Sequence, residues 1–590
     1  MFVETVVKLH HQEDNQRGTN TDRETEHVDR CDQFVFLDKP EGCFKIIPCH
    51  ILFSGQWSVF SDQPLSRCRQ SGCATRNKIS YLRCVLRKYP IGLQSFRKIR
   101  EGKYLYVDKT EVIHRLVTTG QYYFLSRPRR FGKSLLVDTL EELFRGNKEL
   151  FEGLWIHDHW DWTTTSPVIH FNFAGLGVST LGLEAALHRG LAGNAERLGI
   201  SLSDTSYDQQ FKELIVKASQ AGNVVVLIDE YDKPLIDYLD DPVTLQENRS
   251  AMKNFYSVLK ELDGHIRFLL LTGVSRFSRV SIFSDLNNLR DITISNPFAT
   301  IAGITQVELE RDFAPEIAVL QGEDPEILGR IREWYNGYTW DGKTRVYNPF
   351  SLLNYMADPV FRNYWYATGT PTFLLQALRK RQVYNIERIR LGELALAVFE
   401  VDNPNPGSLL FQTGYLTIKQ ISPDGIYELD YPNREVKTSL LDGLLSTYRE
   451  VYPADSAAIV SDLKAALREG NVPGLVDQLN ALIGTIPYDH WRADTESIFH
   501  ILTVLTFKLT GIEVHTEVHS AKGRCDVLVL TDHYIYVLEL KLDGTAQEAL
   551  EQIQATGYLQ PYAADPRKKL AVGISFSSTD RCIADYVVSL

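Results

Sequence analysis

Short runs of apolar residues alternate with apolar residues at helical spacing over residues 89–304. The runs predict four strands, at Tyr122–Ser126, Pro167–Phe173, Asn223–Asp229 and His265–Thr272. The third run is almost continuously apolar, as a strand buried on both faces should be. Helical spacing separates the runs, with a helix ending near Gly146 and further helices at Phe211–Ala218 and Met252–Leu262. Strands that alternate with helices indicate an α/β fold with a parallel sheet.

The rest of the chain divides by the same patterns into four further regions. Residues 1–88 lack clear periodicity and are predicted to be a poorly structured extension before the α/β domain at 89–304. Residues 305–440 are mostly helical and aromatic-rich, and residues 441–490 form a helical connector. A second α/β domain at 491–590 has the order helix, strand, strand, strand, helix, strand. We expect the two α/β modules to have separate cores.

Composition limits the compartment and the partners. No apolar stretch reaches the roughly 18 residues of a membrane helix, and the first 30 residues contain no apolar core, so we expect a cytoplasmic protein without a membrane partner. The formal net charge of −12 means that any contact with nucleic acid uses a local basic patch. Six of the eight cysteines lie in the first 84 residues without paired C-x-x-C spacing, which favours free thiols over a zinc site. The sequence leaves the oligomeric state open.

The segment Arg127–Ser134 ends in Gly-Lys-Ser between a predicted strand and a predicted helix. This context is the one that a phosphate-binding loop requires, because backbone N–H groups at a helix start point at the anion. Lys133 is expected to reach the phosphates of ATP, and the Ser134 hydroxyl to bind Mg²⁺. The usual first glycine is replaced by Arg127, and Pro128 is a candidate for fixing the turn. The alternative is a basic turn before a surface helix.

A second element strengthens the nucleotide hypothesis. The third predicted strand ends in Asp229 and Glu230, where a P-loop enzyme places a metal-binding acid and an acid that orients the attacking water. The fourth predicted strand ends at Thr272 and leads into Gly273–Phe277. Thr272 and Ser275 are candidate γ-phosphate sensors. Arg276 is a candidate charge stabiliser, and a structural role for it is equally compatible. The alternative is a solvated acidic turn. The candidate nucleotide-binding residues are Arg130, Gly132, Lys133, Ser134 and Asp229.

Carboxylates and a lysine cluster in the second α/β domain. Glu539 and Lys541 alternate along one strand and therefore share a face, and Asp526 lies on a neighbouring strand. Asp526 and Glu539 are predicted to hold Mg²⁺, with Glu496 completing the shell from the preceding helix. Lys541 is expected to position the attacking water or to stabilise developing charge. The alternative is an edge salt bridge between Glu539 and Lys541, with Asp526 capping a turn.

Taken together, these motifs resemble a known family. The following segments are similar to the bacterial AAA-ATPase-like family: Tyr89–Gly92, Tyr106–Thr110, Arg127–Ser134, Ile228–Pro234, Thr272–Arg276, Trp334–Tyr338, Tyr347–Pro349 and Phe411–Leu416. That family's loop commonly reads Arg-Pro-Arg-Arg, and its members typically carry a C-terminal PD-(D/E)XK nuclease domain. The order from Glu496 through Asp526 to Glu539 and Lys541 resembles that superfamily. Gln552 and Tyr558 then fit its supporting helix motif, although the proline that usually opens the motif is absent before Asp526.

The resemblance implies ATP and Mg²⁺ as cofactors and nucleic acid, DNA in the first instance, as partner. The leading hypothesis is an ATPase joined to a metal-dependent phosphodiesterase. An alternative is a nucleotide-sensing interaction protein whose nuclease fold binds nucleic acid without cutting it. A third is a structural ATPase scaffold. Intact Lys133, Asp229, Asp526 and Glu539 favour the first.

Overall fold

The computed structural model describes residues 87–276, 288–366, 372–397, 405–450, 456–486, 495–520 and 523–589, together with Leu286. It also describes the backbone of a short antiparallel strand pair, β1 (Leu52–Phe53) and β2 (Gln56–Trp57). The prediction of poor structure before residue 89 otherwise falls outside the described residues. A division of the chain into two units falls between Cys84 and Val85, and the predicted boundary at residue 88 stays a prediction.

A five-stranded parallel sheet forms the centre of the first α/β region. Its strands are β3 (Tyr122–Ser126), β4 (Val168–Asn172), β5 (Val224–Asp229), β6 (Ile266–Gly273) and β7 (Arg290–Asp291). They are ordered β4-β5-β6-β3-β7, and every neighbouring pair is parallel. All six residues of β5 are buried, because helices cover both faces of the sheet. Four of these strands match the four predicted runs.

Helices surround this sheet and connect its strands. They are α1 (Phe96–Glu101), α2 (Thr110–Thr119), α3 (Lys133–Phe144), α4 (Val178–Leu181), α5 (Leu183–Leu198), α6 (Tyr207–Ala218), α7 (Lys233–Ile236) and α8 (Pro242–Ser257). The predicted helix Met252–Leu262 is split, because α8 ends at Ser257 and a 3₁₀ segment follows over Val258–His265. Other 3₁₀ segments are Lys148–Phe151, Trp155–Asp158, Ser219–Ala221 and Asn296–Phe298.

The middle region is helical but also contains two small antiparallel sheets. Its helices are α9 (Gln306–Asp312), α10 (Ala314–Glu323), α11 (Ile327–Tyr335), α12 (Pro349–Ala357), α13 (Thr372–Lys380), α14 (Glu393–Ala397) and α15 (Pro406–Thr413). One sheet has the order β8-β10-β9 and the other β11-β13-β12. The strands are β8 (Ile304–Thr305), β9 (Asn336–Tyr338), β10 (Val346–Tyr347), β11 (Ile389–Gly392), β12 (Thr417–Ile421) and β13 (Ile426–Asp430). Strands of two to five residues are too short for alternation to reveal them in the sequence.

Three long helices lead into the second α/β region: α16 (Arg434–Arg449), α17 (Ala457–Glu469) and α18 (Val472–Ile483). That region contains α19 (Thr495–Leu509), β14 (Glu513–Ser520), β15 (Gly523–Leu530), β16 (Tyr534–Leu542), α20 (Ala546–Thr556), β17 (Lys568–Ser577) and β18 (Cys582–Ser589). A 3₁₀ segment at Gln560–Tyr562 follows α20. The strands lie in sequence order, and α20 forms the crossover between parallel β16 and β17. The predicted order of elements is confirmed, with β18 as an additional, half-exposed antiparallel strand.

The expectation of two separate cores is wrong at α19. Ile501, Leu502 and Leu505 on one face of this helix belong to the large core that also contains the first sheet and α16. Phe499 and Phe507 on another face belong to the core of the second sheet. Helix α19 therefore joins the two cores, because its residues are apolar over most of its circumference. No helix among the described residues is long and apolar enough to cross a membrane.

Candidate functional sites

The loop between β3 and α3 has the backbone of a phosphate-binding turn. Gly132 immediately precedes α3 with φ of 89°, and Arg130 has φ of 67°. Both values lie in the left-handed region, which costs a residue with a Cβ more than it costs glycine. A Cβ built on Gly132 meets no atom within 4 Å, so the space in front of the helix start is open. The free N–H groups of α3 face this space.

Arg127, which replaces the usual first glycine, is a structural residue. Its side chain is fully buried and donates to the carbonyl oxygens of Ser126 and Thr293, both at 2.8 Å. The guanidinium also lies 4.0 Å from the ring centroid of Trp340, in the middle region. Burial lowers the pKa of Arg127, but a guanidinium remains charged near neutral pH. The loop is thereby fixed from behind by a buried cation rather than by glycine flexibility.

Lys133 is held inside the loop. Its Nζ donates to the carbonyl oxygen of Arg127 at 2.8 Å and to that of Pro128 at 3.1 Å. Burial lowers the pKa of Lys133, and the nearby carboxylates of Asp229 and Asp232 oppose that effect. Ser134, the next residue, lines the same cleft. The predicted Gly-Lys-Ser residues, Gly132, Lys133 and Ser134, thus lie together beside the acids at the end of β5.

The acids at the end of β5 lie beside this loop. Asp229 is buried, and its Oδ1 accepts from the Thr272 hydroxyl at 2.5 Å and from the Glu230 backbone N–H at 3.1 Å. Glu230 is half-buried, lines the cleft and has φ of 53°. A left-handed glutamate carries backbone strain, and such strain concentrates at functional sites.

Asp232 is a cleft residue that sequence reasoning missed. Its Oδ2 accepts from the backbone N–H groups of Val274 at 2.9 Å and Ser275 at 2.6 Å. Burial raises the pKa of Asp232 to about 6, against these hydrogen bonds and the charge of Lys133. Gly273 permits this approach, since a Cβ there would lie 2.7 Å from Asp232 Oδ1. The signal in the sequence was the third acid of the Asp229–Asp232 segment, after Asp229 and Glu230.

The three candidate sensor residues lie in different surroundings. Thr272 is buried and bonded to Asp229, next to the cleft. Ser275 is buried, and its carbonyl accepts from the Tyr231 hydroxyl at 2.8 Å. Arg276 pairs with Asp291 at 2.5 Å and its backbone N–H donates to Gln412 at 2.8 Å. Arg276 is therefore tied to β7 and the middle region, whereas Thr272 stands closest to the acids.

The loop and the acids border a cleft of about 420 Å³, within the usual range for ligand pockets. Its lining contains both basic and acidic side chains: Arg129, Arg130, Lys133, Glu230, Asp232, Lys233 and Asp237. A second pocket of about 100 Å³ shares lining residues with the cleft and is mostly apolar; its lining includes Leu105, Val107, Leu135, Ile301, Ile304 and Leu353. A polar cleft joined to an apolar pocket matches the two halves of a nucleotide.

The carboxylates of the second α/β region meet where the first half of β15 runs antiparallel to the second half of β16. Asp526 Oδ2 accepts from the Leu540 backbone N–H at 2.9 Å. Glu539 is 2% exposed, and one of its oxygens, Oε2, has no hydrogen-bond partner among the described residues. Burial, followed by the charge of Asp526, raises the pKa of Glu539 to about 7. An orphaned buried carboxylate oxygen beside a second carboxylate fits a cation with oxygen ligands.

Gln552 on α20 bridges the acid and the lysine. Its Nε2 donates to Glu539 Oε1, and its Oε1 accepts from Lys541 Nζ at 2.6 Å. Lys541 Nζ lies 3.8 Å from Glu539 Oε1, so the strand alternation places both side chains on one face. The Gln552 amide thereby holds the Lys541 side chain close to the carboxylates of Asp526 and Glu539. Tyr558 supports the other strand, because its hydroxyl donates to the Arg524 carbonyl at 2.8 Å.

Glu496 lies on α19, but its side chain is outside the described residues. Within the described part of the chain, no three His, Cys, Asp or Glu side chains are grouped closely enough to hold a metal ion. Asp526 and Glu539 thus provide two carboxylates, and the contribution of Glu496 stays a prediction. Cys525 beside them is a free, buried thiol whose pKa is raised to about 12 by burial.

The acids line a pocket of about 430 Å³ that contains residues missed by sequence reasoning. His500 lies one helical turn after Glu496, and this i, i+4 spacing was a signal in the sequence. Glu517 has φ of 52° and lies between the paired residues Thr516–Val527 and Val518–Cys525, so the unshifted register of β14 with β15 sets it opposite Asp526. Gln382 and Tyr384 come from the middle region, far away in sequence.

Comparisons with known proteins match both α/β regions of the chain. A family model described as predicted AAA-ATPase matches residues 90–283, and one described as PD-(D/E)XK nuclease superfamily matches residues 494–586. The chain is 41% identical over 518 residues to a protein of Azotobacter chroococcum mcd 1, described as an uncharacterized protein in the vnfD 5' region. The match covers 85% of this chain and 99% of that protein. No solved structure matches the chain.

The first match contains the loop with Lys133 and the acids of β5, and the second contains Asp526, Glu539 and Lys541. The chain belongs to the family of bacterial AAA-ATPase-like proteins that carry a C-terminal PD-(D/E)XK nuclease domain.

Proposed function

We propose that this protein hydrolyses ATP in the cleft beside α3 and cleaves nucleic acid, DNA in the first instance, at the carboxylates of β15 and β16. The observation that carries the nuclease half is the buried, unpartnered Oε2 of Glu539 beside Asp526. A carboxylate in that position is costly to keep charged unless a cation offsets the burial. A site kept for stability alone would gain by pairing or removing that oxygen.

The residues of the nuclease site then have separate roles. Asp526 and Glu539 would hold a divalent cation, which when bound lowers the pKa of a water molecule and offsets charge on a phosphodiester. The hydrogen bond from Leu540 fixes the orientation of Asp526. Lys541, held by Gln552, places a positive charge beside the phosphate and orients the water for attack. Burial of Glu539 keeps bulk water from screening this charge.

In the cleft, Lys133 is the candidate for contact with the β- and γ-phosphates. Its two bonds to loop carbonyls occupy the ammonium until a phosphate replaces them. Ser134, which lines the cleft, and the buried Asp229 at the end of β5 are the candidate Mg²⁺ ligands, and Arg130 lines the cleft as a further cation. Glu230 is the candidate for orienting the attacking water, because its left-handed backbone turns it away from the strand direction and into the cleft.

The apolar pocket beside the cleft supports a nucleotide rather than a free phosphate. Leu105, Val107, Leu135 and Ile304 offer surface to a flat purine ring, and Gly132 and Leu135 at the start of α3 line both this pocket and the cleft. We infer that the base lies in this pocket and the phosphates at the start of α3.

A cleavage assay with the full chain tests the proposal. Labelled single- and double-stranded DNA, and RNA of the same sequence, are incubated with Mg²⁺ or chelator, with and without ATP. Wild type and Asp532→Ala, a control in the exposed β15–β16 turn, should cut in Mg²⁺ and stop in chelator. Asp526→Ala should lose cleavage and keep ATP hydrolysis.

Two outcomes decide against the proposal. Equal cutting by Asp526→Ala and wild type would assign the activity to another site. A wild-type protein that binds nucleic acid and never cuts it, under all these conditions, would show that the nuclease fold acts as a binding module.

A further inference from the structure

One wall of the nuclease pocket comes from outside the nuclease domain. Residues 381–388 connect α13 to β11 in the middle region, and this segment is called the pocket loop below. Gln382 and Tyr384 of the pocket loop line the same 430 Å³ pocket as Asp526, Glu539 and Lys541. A substrate that reaches the carboxylates therefore enters beside two side chains that the nuclease domain does not supply.

The pocket loop is firmly attached to the nuclease domain. Lys508 of α19 has a side chain only 3% exposed, and its Nζ donates to Asn385 Oδ1 at 3.1 Å and to Glu387 Oε2 at 2.9 Å. Glu387 also pairs with Lys437 at 3.0 Å. Ile386, between the two anchor residues, is fully buried. A buried cation with two partners on one short loop fixes that loop's position.

Tyr384 contacts the nuclease domain inside the pocket through His500, which also lines it. Its hydroxyl lies 3.3 Å from His500 Nδ1, and its ring stands nearly perpendicular to the His500 ring, with centroids 5.8 Å apart. The ring is half-buried. Burial raises the pKa of the hydroxyl, and the charges of Glu517 and Asp526, which line the same pocket, act in the same direction.

The charges around the pocket give a polyanion little attraction. Asp526, Glu539 and Glu517 oppose Lys541 and Arg524, so the protein groups alone are not basic. Binding must therefore draw on something other than bulk charge, apart from the cation at the carboxylates. An uncharged aromatic ring provides such binding energy, because stacking of a base on an aromatic side chain contributes about 1–3 kcal/mol and does not depend on the base sequence.

We propose that Tyr384 and Gln382 position the substrate strand of the nuclease, with the Tyr384 ring stacked on a base next to the cleaved phosphodiester. A base that is paired and stacked in a duplex has no free face for a side chain. The substrate is therefore single-stranded or locally unpaired nucleic acid. This inference rests on the proposed nuclease function and gives it a substrate class.

Binding and kinetics of the full chain test the proposal. A labelled single strand and its duplex are titrated with protein in Ca²⁺, at several salt concentrations, and kcat and KM are measured in Mg²⁺. The variants are Tyr384→Ala, Tyr384→Phe, Gln382→Ala and Tyr562→Ala. Tyr562 is the control, because it is half-buried in the nuclease domain but does not line the pocket. ATP hydrolysis reports whether each variant is folded.

Tyr384→Ala should weaken single-strand binding by about 5- to 100-fold, which is the stacking energy at about 1.4 kcal/mol per factor of ten. Tyr384→Phe should restore most of the affinity because it keeps the ring. The slope of log affinity against log salt should not change, since no phosphate contact is lost. KM should rise more than kcat falls, and Tyr562→Ala should behave as wild type.

Several results would overturn the proposal. They are binding by Tyr384→Ala that is no weaker than binding by Tyr562→Ala, and a duplex that is bound as tightly as the single strand. An affinity of Tyr384→Phe as low as that of Tyr384→Ala would also overturn it, because the contact would then belong to the hydroxyl. If Tyr384→Ala also loses ATP hydrolysis, Gln382→Ala replaces it in the test, because Gln382 is exposed. Unchanged affinity and KM in Gln382→Ala would then refute a role of the pocket loop in substrate binding. A wild type that neither binds nor cuts nucleic acid would instead remove the nuclease function itself.

Discussion

A substitution at Glu435 tests quantitatively how the middle region packs against the loop between β3 and α3. This residue lies in the first turn of α16, is fully buried, and accepts from the Trp365 backbone N–H at 2.7 Å. The Trp365 indole in turn donates to the Arg129 carbonyl of the phosphate-binding loop at 3.0 Å. The second carboxylate oxygen of Glu435, Oε2, has no hydrogen-bond partner in the described part of the chain. Burial is the main cause that raises the pKa of Glu435 to about 7.

The direction of the pH dependence follows from that shift. The ordinary pKa is 4.5, so the folded protein binds this proton more tightly than the unfolded chain does. The contribution to stability is fully present below about pH 4.5 and is lost as the pH rises through about 7. The difference between 4.5 and about 7 corresponds to about 3 kcal/mol, at 1.36 kcal/mol per pKa unit.

We therefore expect Glu435→Gln to stabilise the protein above pH 7 by up to about 3 kcal/mol, because a neutral amide of the same shape needs no proton. The Ser351 hydroxyl lies close to Glu435 and can accept from the new amide. Thermal unfolding followed by calorimetry at pH 5 and pH 8 measures the effect. The gain in Tm should be several degrees at pH 8 and small at pH 5.

Glu469→Gln, at an exposed position of α17, is the matched control and should give no pH-dependent gain. An equal change in Tm at both pH values for Glu435→Gln would refute the reasoning. It would mean that the carboxylate is charged in the folded state and held by a partner.

Four further predictions concern the two sites and the N-terminal segment. Lys133→Ala should weaken ATP binding at least tenfold in calorimetry, and equal affinity would exclude the loop as the phosphate site. Glu230→Gln should bind ATP normally but turn it over about 100-fold more slowly, and unchanged turnover would place the catalytic role elsewhere. Gln552→Ala should slow metal-dependent cleavage and spare ATP hydrolysis, whereas Gln547→Ala on the exposed side of α20 should do neither. A chain that starts at Val85 should unfold at the same temperature as the full chain, and a large loss would show that the removed residues stabilise the core.

The sequence alone determined the elements that carry a local signal. The strand Tyr122–Ser126 and the strand ending at Asp229 were readable because a strand buried on both faces must be continuously apolar. Glu539 and Lys541 share a face because side chains alternate along any strand, whatever surrounds it. The parallel sheet followed from the alternation of strands and helices.

Only the tertiary structure decided what depends on distant contacts. In the sequence, Arg127 departs from the usual first glycine of the loop. In the structure, it is a buried side chain that contacts the Thr293 carbonyl and the Trp340 ring. Asp232 became part of the cleft because the chain after β6 folds its N–H groups onto it. Tyr384 lies more than a hundred residues before the nuclease acids, and no periodicity relates them.

The shared helix α19 illustrates the same limit. Its apolar residues were readable as a helix, but a sequence does not state which partner covers each face. Packing against α16 on one face and the second sheet on another joins the two modules. Local pattern fixes the type of an element and the direction of its side chains, whereas the neighbours of each face are set by long-range packing, which leaves no period in the sequence.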